Sequence, residues 1–451
     1  MILALLSPVE LALILGIVLL MGLECWSAIR SRSWVQVYRP TLFVSVVLAF
    51  YVLVGPLRAI LSVGEVANFV GTSGTTFRGL DHRSLLIWGW LGALVFYASL
   101  LSGFYLFQPV CLPHRLMLKA DLAKIRRWGS LLCWAGVAMY SLSNGGRILF
   151  LLNPFNPGQF NQSVFGFSGF NLGVLTNYFN LAINLLIPGI VIQFAVWLRQ
   201  RKGMLEIFLW LVLAILLYLS EAFRYRILLL VIPIMLLWLF YNRRRPMLVL
   251  LLVFMVGFVS LNGLIGYART QVRGLDVQKL AVASPLEVII SSFEEAGAFF
   301  TSSAVIHAVP AEHPFIGFEP LVTAALQPLP RKYFSWKPSG EYPSKLPDQI
   351  YSETWGGYKT HAAFLSYAEY YLMFGWYSLV TIGIISGVVL RRLWKWFLWR
   401  QYEPLAQSIY LLNASFIYVL VSRGYFAQTL TLYCFTVIPT FFVYLKLSHR
   451  S

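Results

Sequence analysis

Charged residues are scarce in this sequence: they make up 12% of the 451 residues, whereas 59% are hydrophobic. A soluble domain carries about a quarter charged residues. The mean hydropathy of +0.71 points the same way. This composition excludes a water-soluble globule, an intrinsically disordered chain and a collagen-like chain, and leaves a polytopic membrane protein.

Cysteines and acidic motifs are also few. The four cysteines (Cys25, Cys111, Cys133, Cys434) form no CxxC pair, which argues against a disulfide scaffold and a zinc framework. The sequence has no DxD motif, and Glu294-Glu295 are its only adjacent acids, so the metal ligands of a nucleotide-sugar transferase are missing. A P-loop, a Gly-rich dinucleotide fingerprint and an HExxH motif are absent as well. We therefore predict no metal and no cofactor.

The net charge of +17 has an ordinary explanation in membrane topology. Of the 35 Lys and Arg residues, 20 fall in six short clusters between apolar runs. Basic flanks resist translocation and mark the cytoplasmic side, so this pattern accounts for the basicity without nucleic-acid binding. The clusters are Arg30/Arg32/Arg39, Arg115/Lys119/Lys124/Arg126/Arg127, Arg199/Arg201/Lys202, Arg243/Arg244/Arg245, Arg391/Arg392/Lys395/Arg400 and Lys446/Arg450.

The apolar runs predict an all-α polytopic membrane protein with about 11 transmembrane helices, the N-terminus outside and the C-terminus inside. The first run lacks a basic n-region, so we interpret it as a retained span. We divide the chain into helices 1–8 (1–266), a large outer loop (267–362) and helices 9–11 (363–451). The predicted spans are about 4–26, 41–62, 85–110, 128–143, 171–198, 205–220, 227–242, 247–266, 370–390, 404–422 and 425–446.

The segment 267–362 is the longest predicted outer loop, with eight basic and nine acidic residues. Helix signals lie within it: a capping box at Ser284–Glu287, a short helix at Phe318–Gln327, and a helix from Leu346 to Gly356-Gly357. Loops of this length with their own helices are usually functional, so we predict a folded outer subdomain lying on the membrane.

Arginines recur at the predicted outer ends of the spans. Arg224 and Arg226 share one tight turn, and Arg423 occupies another. A guanidinium near the apolar layer is costly, and its planar fork binds phosphate oxygens bidentately, which favours an anion site. A lipid-headgroup anchor is the alternative for any single arginine. Arg78 and Arg83 fit that ordinary role, since Asp81 can pair with either; the further candidates are Arg147, Arg269, Arg273 and Arg331.

Aromatic residues are dense where the outer loop returns to the membrane. Flat rings with polar tips suit sugar rings, and they equally suit an interfacial belt, so both interpretations stay open. The residues are Tyr333, Trp336, Tyr342, Tyr351, Trp355, Tyr358, Tyr367, Tyr370, Tyr371 and Trp376.

Several short motifs, taken in order, resemble the Wzy-type oligosaccharide repeat-unit polymerases, which include the O-antigen and enterobacterial-common-antigen polymerases. The most distinctive is the run Leu329–Pro338 (LPRKYFSWKP), similar to the family's P-R/S-x-x-W/F-P-x-K/R-P run. The others are Asn144–Phe150 (NGGRILF), Arg224 after a short polar turn, Tyr267 with Arg269, His361 followed by Tyr367 to Gly375, and Ser422-Arg423. Phe223 departs from the small residue usual before the first hairpin arginine, which leaves the choice between Arg224 and Arg226 open.

The resemblance implies a fold similar to the GT-C-like membrane glycosyltransferases. It implies polymerisation of undecaprenyl-pyrophosphate-linked oligosaccharides at the periplasmic face of the bacterial inner membrane, with membrane lipid, a chain-length regulator and a flippase as partners. Arg224, Arg226 and Arg423 would stabilise the departing pyrophosphate. Arg147, Arg269, Arg273, Arg331, Trp336 and Tyr367 would bind substrate, and His361 would be the general base, with Glu294, Glu295 and Glu369 as alternatives.

Two other functions remain open. One is a glycan ligase of the same membrane-enzyme class, and the other is a transporter or flippase. Internal repeats and charges at mid-membrane depth, which are typical of transporters, are not evident. The sugars, the linkage, the chain-length control and the oligomeric state do not follow from the sequence.

Overall fold

The computed structural model describes residues 7–31, 33–56, 83–107, 121–144, 176–221, 224–243, 297–327 and 363–448, with isolated positions between 329 and 350. This part of the chain is helical and contains no strand. The helices are α1 (Pro8–Arg30), α2 (Pro40–Leu48, continued by a π-turn Ala49–Val54), α3 (Arg83–Leu106), α4 (Leu122–Asn144), α5 (Thr176–Leu181), α6 (Leu186–Gln200), α7 (Met204–Ser220), α8 (Arg224–Tyr241), α9 (Ala298–Ala308), α10 (Glu319–Leu326), α11 (Ser366–Phe374), α12 (Trp376–Arg400), α13 (Pro404–Ser422), α14 (Phe426–Thr436) and α15 (Ile438–Ser448).

Within these ranges, six helical segments are long and apolar enough to cross a membrane. They are Pro8–Arg30, Leu85–Leu106, Thr176–Gln200, Trp376–Arg400, Pro404–Ser422 and Phe426–Ser448. Each overlaps a predicted span. The described part of the chain therefore consists of helices, and it includes the apolar helices of a multi-pass membrane protein.

The other five predicted spans correspond to shorter apolar helices, to a helix with basic first turns, or to residues outside the described ranges. Shorter apolar helices occupy Pro40–Val54, Met204–Ser220 and Tyr225–Tyr241. The span predicted at 128–143 lies within α4, whose first turns carry Lys124, Arg126 and Arg127. The run 247–266 lies outside the described residues.

The described chain divides into two compact units. Unit 1 comprises Met1–Cys111, Phe293–Lys395 and Ile417–Leu430, and unit 2 comprises Leu112–Ser292, Trp396–Phe416 and Thr431–Ser451. Each unit therefore combines segments that are distant in sequence.

Helix α3 is the central element of unit 1, because its glycines let two helices approach closely. Gly89 faces Phe299 and Ser303 of α9, and a methyl group at Gly89 would lie 2.8 Å from the Phe299 ring. Further along α3, Gly103 lies against the backbone of Ile384 in α12. Small residues at a helix crossing let the two backbones approach closely. The resulting van der Waals contact holds apolar helices together in a membrane, where no hydrophobic driving force acts between them.

Helix α9 lies within the segment 267–362, which we predicted to be an outer loop. Ten of its residues, from Ala298 to Ile306 and Ala308, are buried. Its Ser302 hydroxyl accepts the backbone N–H of Leu365 at 2.8 Å, just before α11. Part of this segment is therefore core of unit 1. The predicted helix at Phe318–Gln327 is present as α10, and the helix predicted from Ser284 lies outside the described residues.

Unit 2 is organised around the crossing of α4 and α6. A methyl group at Gly129 would lie 2.9 Å from the Gly189 carbonyl oxygen, and one at Gly189 would meet Cys133 Sγ at 2.5 Å. An apolar core near the basic end of α4 joins this pair to α13 and α15 and consists of Ile125, Ile192, Val196, Leu405, Ile409, Val443 and Leu447.

Basic residues and their partners gather at one end of unit 2. Arg126 in α4 forms a 2.5 Å ion pair with Glu206 at the start of α7. Arg199 at the end of α6 donates to the Tyr402 carbonyl and the Gln407 side chain, and its guanidinium lies 5.9 Å from the Tyr241 ring. These residues belong to the ends of the helices that we predicted to face the cytoplasm. The opposite ends of α4, α7 and α8 carry a different set of polar groups.

Candidate functional site

The end of unit 2 opposite its basic residues contains the predicted arginine turn. Helix α7 ends at Ser220, Glu221 follows, and α8 begins at Arg224. Arg226 lies in the first turn of α8, and only 5% of its surface is exposed, with its guanidinium 5.9 Å from the Tyr225 ring. For Arg224 the structure gives the backbone position at the start of α8. A buried guanidinium at a helix end places positive charge in a low-dielectric setting, where it attracts an anion more strongly than in water.

A set of polar side chains lies at the same end of unit 2. We call Tyr140, Ser143, Asn144, Asn180 and Glu221 the polar cluster. The Tyr140 hydroxyl donates to Glu221 Oε1 at 2.6 Å, which links the last turn of α4 to the residue after α7. Asn180 Oδ1 accepts from the Ser143 hydroxyl at 2.5 Å and from Asn144 Nδ2 at 2.8 Å. Hydrogen bonds therefore join the last turn of α4 to α5 and to the residue after α7.

The cluster is partly accessible. Ser143, Asn144, Asn180 and Glu221 are half-buried, in contrast to the fully buried Ala182 and Ile183 of the adjoining 3-10 turn. Polar side chains that are held by neighbours and still reach solvent are the usual components of a binding surface for a polar ligand.

In unit 1, the turn around Arg423 is held by several hydrogen bonds. The Gly424 N–H donates to the Phe364 carbonyl at 2.8 Å, and the Ser366 hydroxyl donates to the Val421 carbonyl at 3.1 Å. A side chain at Gly424 would collide with the Phe364 ring and lie 3.0 Å from the Leu365 carbonyl oxygen, so only glycine permits this approach. Arg423 itself is half-buried. The turn is therefore a fixed platform for its guanidinium.

Glu369 belongs to this platform. Its carboxylate is 1% exposed, and both oxygens accept the backbone N–H of Phe426 at 3.1 Å, at the start of α14. A carboxylate at a helix N-terminus satisfies an otherwise unpaired donor and interacts favourably with the helix dipole. Our sequence interpretation offered Glu369 as an alternative general base. In the structure Glu369 caps the N-terminus of α14 at Phe426, which lies three residues after Arg423.

The two aromatic candidates lie in contrasting environments in unit 1. Tyr367 is fully buried, with its ring 6.5 Å from that of Phe96 and against Gly92 of α3. Burial raises the pKa of the Tyr367 phenol, which keeps its hydroxyl protonated. Trp336 is 66% exposed and makes an edge contact with Phe334, with 6.0 Å between the ring centroids. Of the two, only Trp336 presents a ring face at the surface.

The other predicted site residues are Arg147, Arg269, Arg273, Arg331, His361, Glu294 and Glu295, and they lie outside the described residues. Within the described ranges, no group of three or more His, Cys, Asp or Glu residues is arranged to hold a metal ion.

Four of the five residues of the polar cluster had no place in the sequence interpretation. Asn144 enters it only as the first residue of the motif NGGRILF, and the sequence predicts no functional role for Tyr140, Ser143, Asn180 or Glu221. Glu221 did carry a signal, since it is the acid in the same short turn as two arginines. Asn180 carried none, because only the approach of α5 to α4 brings it to Asn144.

No protein-family model, curated protein or solved structure matches this chain.

Proposed function

We propose that this protein is a metal-independent glycosyltransferase of the bacterial cytoplasmic membrane that joins undecaprenyl-pyrophosphate-linked oligosaccharide repeat units at the periplasmic face. The observation that carries the proposal is Arg226, a nearly buried arginine in the first turn of α8. It lies at the same end of unit 2 as the polar cluster. The resemblance of the sequence motifs to the Wzy-type polymerases supplies the substrate class.

The reaction asks for two things from the protein. The donor sugar must lose a pyrophosphate, and negative charge grows on that leaving group as the glycosidic bond forms. Fixed guanidinium groups stabilise such charge, each charge-assisted hydrogen bond contributing about 1.5–3 kcal/mol. We assign this role to Arg226, and Arg224 shares its turn. Arg423 in unit 1 is the second candidate, which the resemblance of the sequence motifs supplies.

The experiment compares glycan ladders in cells that depend on this chain. Arg226→Ala and Arg423→Ala should abolish long-chain glycan while the protein remains at wild-type abundance in the membrane. Arg→Lys at the same positions should also fail, because an ammonium group cannot form the bidentate pair of a guanidinium. A matched control is Arg199→Ala, which removes an arginine at the opposite end of unit 2 and should leave the ladder intact.

The accumulated product distinguishes the proposed reaction from its relatives. Loss of a polymerase leaves single repeat units on the final acceptor, whereas loss of a ligase leaves unattached polymer. Wild-type ladders in both alanine variants would refute the assignment of these arginines.

A further inference from the structure

We infer that the polar cluster of unit 2 is the binding site for the acceptor sugar, and that Glu221 takes the proton of the attacking hydroxyl group. This inference rests on the proposed function and adds to it the residues that recognise the second substrate.

The side-chain amides of Asn144 and Asn180 have the groups that recognise a sugar hydroxyl. Asn180 Oδ1 accepts two hydrogen bonds, from Ser143 and Asn144, which orients the Asn180 side chain. In the described part of the chain, Asn180 Nδ2 donates to no group and Asn144 Oδ1 accepts from none. Both residues are half-buried, so the partly accessible cluster retains one amide donor and one amide acceptor for a ligand. A sugar hydroxyl both donates and accepts, and an amide pair of this kind satisfies both functions.

Glu221 is held in a position that suits a general base. Its Oε1 accepts from the Tyr140 hydroxyl at 2.6 Å, which fixes the side chain. A carboxylate has acceptor capacity for about four hydrogen bonds, so a sugar hydroxyl can bind beside Tyr140. A carboxylate placed in this way is a suitable general base for a hydroxyl nucleophile.

Glu221 is also close in sequence to the arginines of the same turn. Arg224 follows Glu221 by three residues, and a chain segment of that length spans at most about 11 Å. The base for the acceptor and the cation for the leaving group are therefore provided by one short turn.

The acceptor hydroxyl oxygen bonds to the anomeric carbon of the donor sugar, and the bond from that carbon to the pyrophosphate oxygen breaks. Undecaprenyl pyrophosphate leaves with the electron pair, and the hydroxyl proton passes to the Glu221 carboxylate and then to water. Oxidation states do not change, and no co-reactant is needed.

The test uses purified full-length protein in nanodiscs, with the lipid-linked repeat unit as donor and the carrier-free repeat-unit oligosaccharide, released by mild acid, as acceptor. Asn180→Asp is the sharpest variant, because it keeps an acceptor oxygen for Ser143 and Asn144, replaces the Nδ2 donor by a second acceptor oxygen and adds one negative charge. We expect it to raise KM for the carrier-free acceptor about tenfold, the loss that follows from one hydrogen bond, with donor binding unchanged. Glu221→Gln should lower kcat at least about a hundredfold, in the range of general-base catalysis.

Matched controls come from the same unit. Asn242→Asp changes an exposed asparagine at the other end of α8, and Glu206→Gln changes the glutamate at the other end of α7. Both should retain wild-type KM and kcat. Equal kinetic losses in the controls, or a fall in thermal stability of Asn180→Asp that accounts for its activity loss, would overturn the inference.

The design separates the inference from the proposed function. If wild-type protein polymerises and both cluster variants behave as wild type, the acceptor site is wrong and the polymerase stands. If wild-type protein does not polymerise, a direct measurement of carrier-free oligosaccharide binding to the protein tests the sugar site by itself. If the wild-type protein binds the oligosaccharide and Asn180→Asp does not, the sugar site is supported and the proposed reaction is refuted. If the wild-type protein does not bind the oligosaccharide, the sugar site is refuted.

Discussion

Glu369 and Phe426 are joined by both carboxylate oxygens of the glutamate, each 3.1 Å from the backbone nitrogen of Phe426. This contact fixes the start of α14, and with it the three-residue turn that holds Arg423. A helix cap needs only an acceptor oxygen, whereas a general base needs a carboxylate that can take a proton. Substitutions of Glu369 therefore distinguish the two roles.

Replacing Glu369 by Gln should preserve most activity, because the amide oxygen still accepts the Phe426 N–H. Replacing it by Ala removes the cap and should destabilise the protein by about 1–2 kcal/mol, with shorter glycan chains. Thermal unfolding in detergent and glycan ladders measure the two effects. Complete loss of polymer in the Gln variant at wild-type stability would assign Glu369 a chemical role instead.

The ion pair between Arg39 and Glu24 should be essential for folding. The pair is 3.2 Å long, both side chains are under a tenth exposed, and Tyr105 and Thr41 also donate to Glu24. Removing one partner leaves a buried charge, so Arg39→Ala should lose about 3–5 kcal/mol of stability.

The matched control is the pair of Arg126 and Glu206, whose side chains are 29% and 35% exposed. Solvent screens such a pair, so Arg126→Ala should lose at most about 1 kcal/mol. Chemical denaturation in detergent or thermal unfolding compares the two variants. Similar losses for Arg39→Ala and Arg126→Ala would mean that the environment of Glu24 is wetter than the structure shows.

The crossing of α4 and α6 should not tolerate a methyl group at Gly189. An alanine there would meet Cys133 Sγ at 2.5 Å and the Gly129 carbonyl oxygen at 2.8 Å, so the helices must separate. We expect Gly189→Ala to lose about 1–3 kcal/mol of stability. Gly22→Ala in α1 meets no atom within 4 Å and should be neutral or stabilising through helix propensity. Equal unfolding temperatures of the two variants would contradict this packing.

Asn184 allows the stability cost of a buried, unsatisfied acceptor to be measured. It is fully buried in the 3-10 turn after α5, and its Nδ2 donates to the Leu181 carbonyl at 2.8 Å, while its Oδ1 accepts from no described residue. An unsatisfied buried acceptor costs about 1–3 kcal/mol, so Asn184→Leu should leave stability unchanged or raise it. The unfolding temperature of the purified variant measures this, and a loss of several degrees would show that the Asn184 oxygen makes a stabilising contact.

The sequence predicted the elements whose signals are local. Apolar runs located the six long helical segments, and Phe318–Gln327 was recognised from the Pro residues that follow it. Helix α9 was missed because Thr301, Ser302 and Ser303 interrupt a run already too short to span a membrane. Its burial depends on Gly89 of α3, about two hundred residues earlier in the chain, and no local pattern records that contact.

The candidate site was predictable to a smaller extent. Arg226 and Arg423 were identified because a charge at the end of an apolar run is visible in the sequence. Whether an aromatic ring is core or surface was not visible, and Tyr367 and Trp336 differ in this respect. The polar cluster depends on the meeting of α4, α5 and the turn after α7, which is tertiary information.

The most direct test of the account is mass analysis of lipid-linked glycans after purified protein is incubated with one defined undecaprenyl-pyrophosphate-linked repeat unit. We predict carriers that bear two and more repeat units, with one undecaprenyl pyrophosphate released for each new glycosidic bond, and no such products from Arg226→Ala protein. A mixture in which every carrier still bears a single repeat unit would contradict the account.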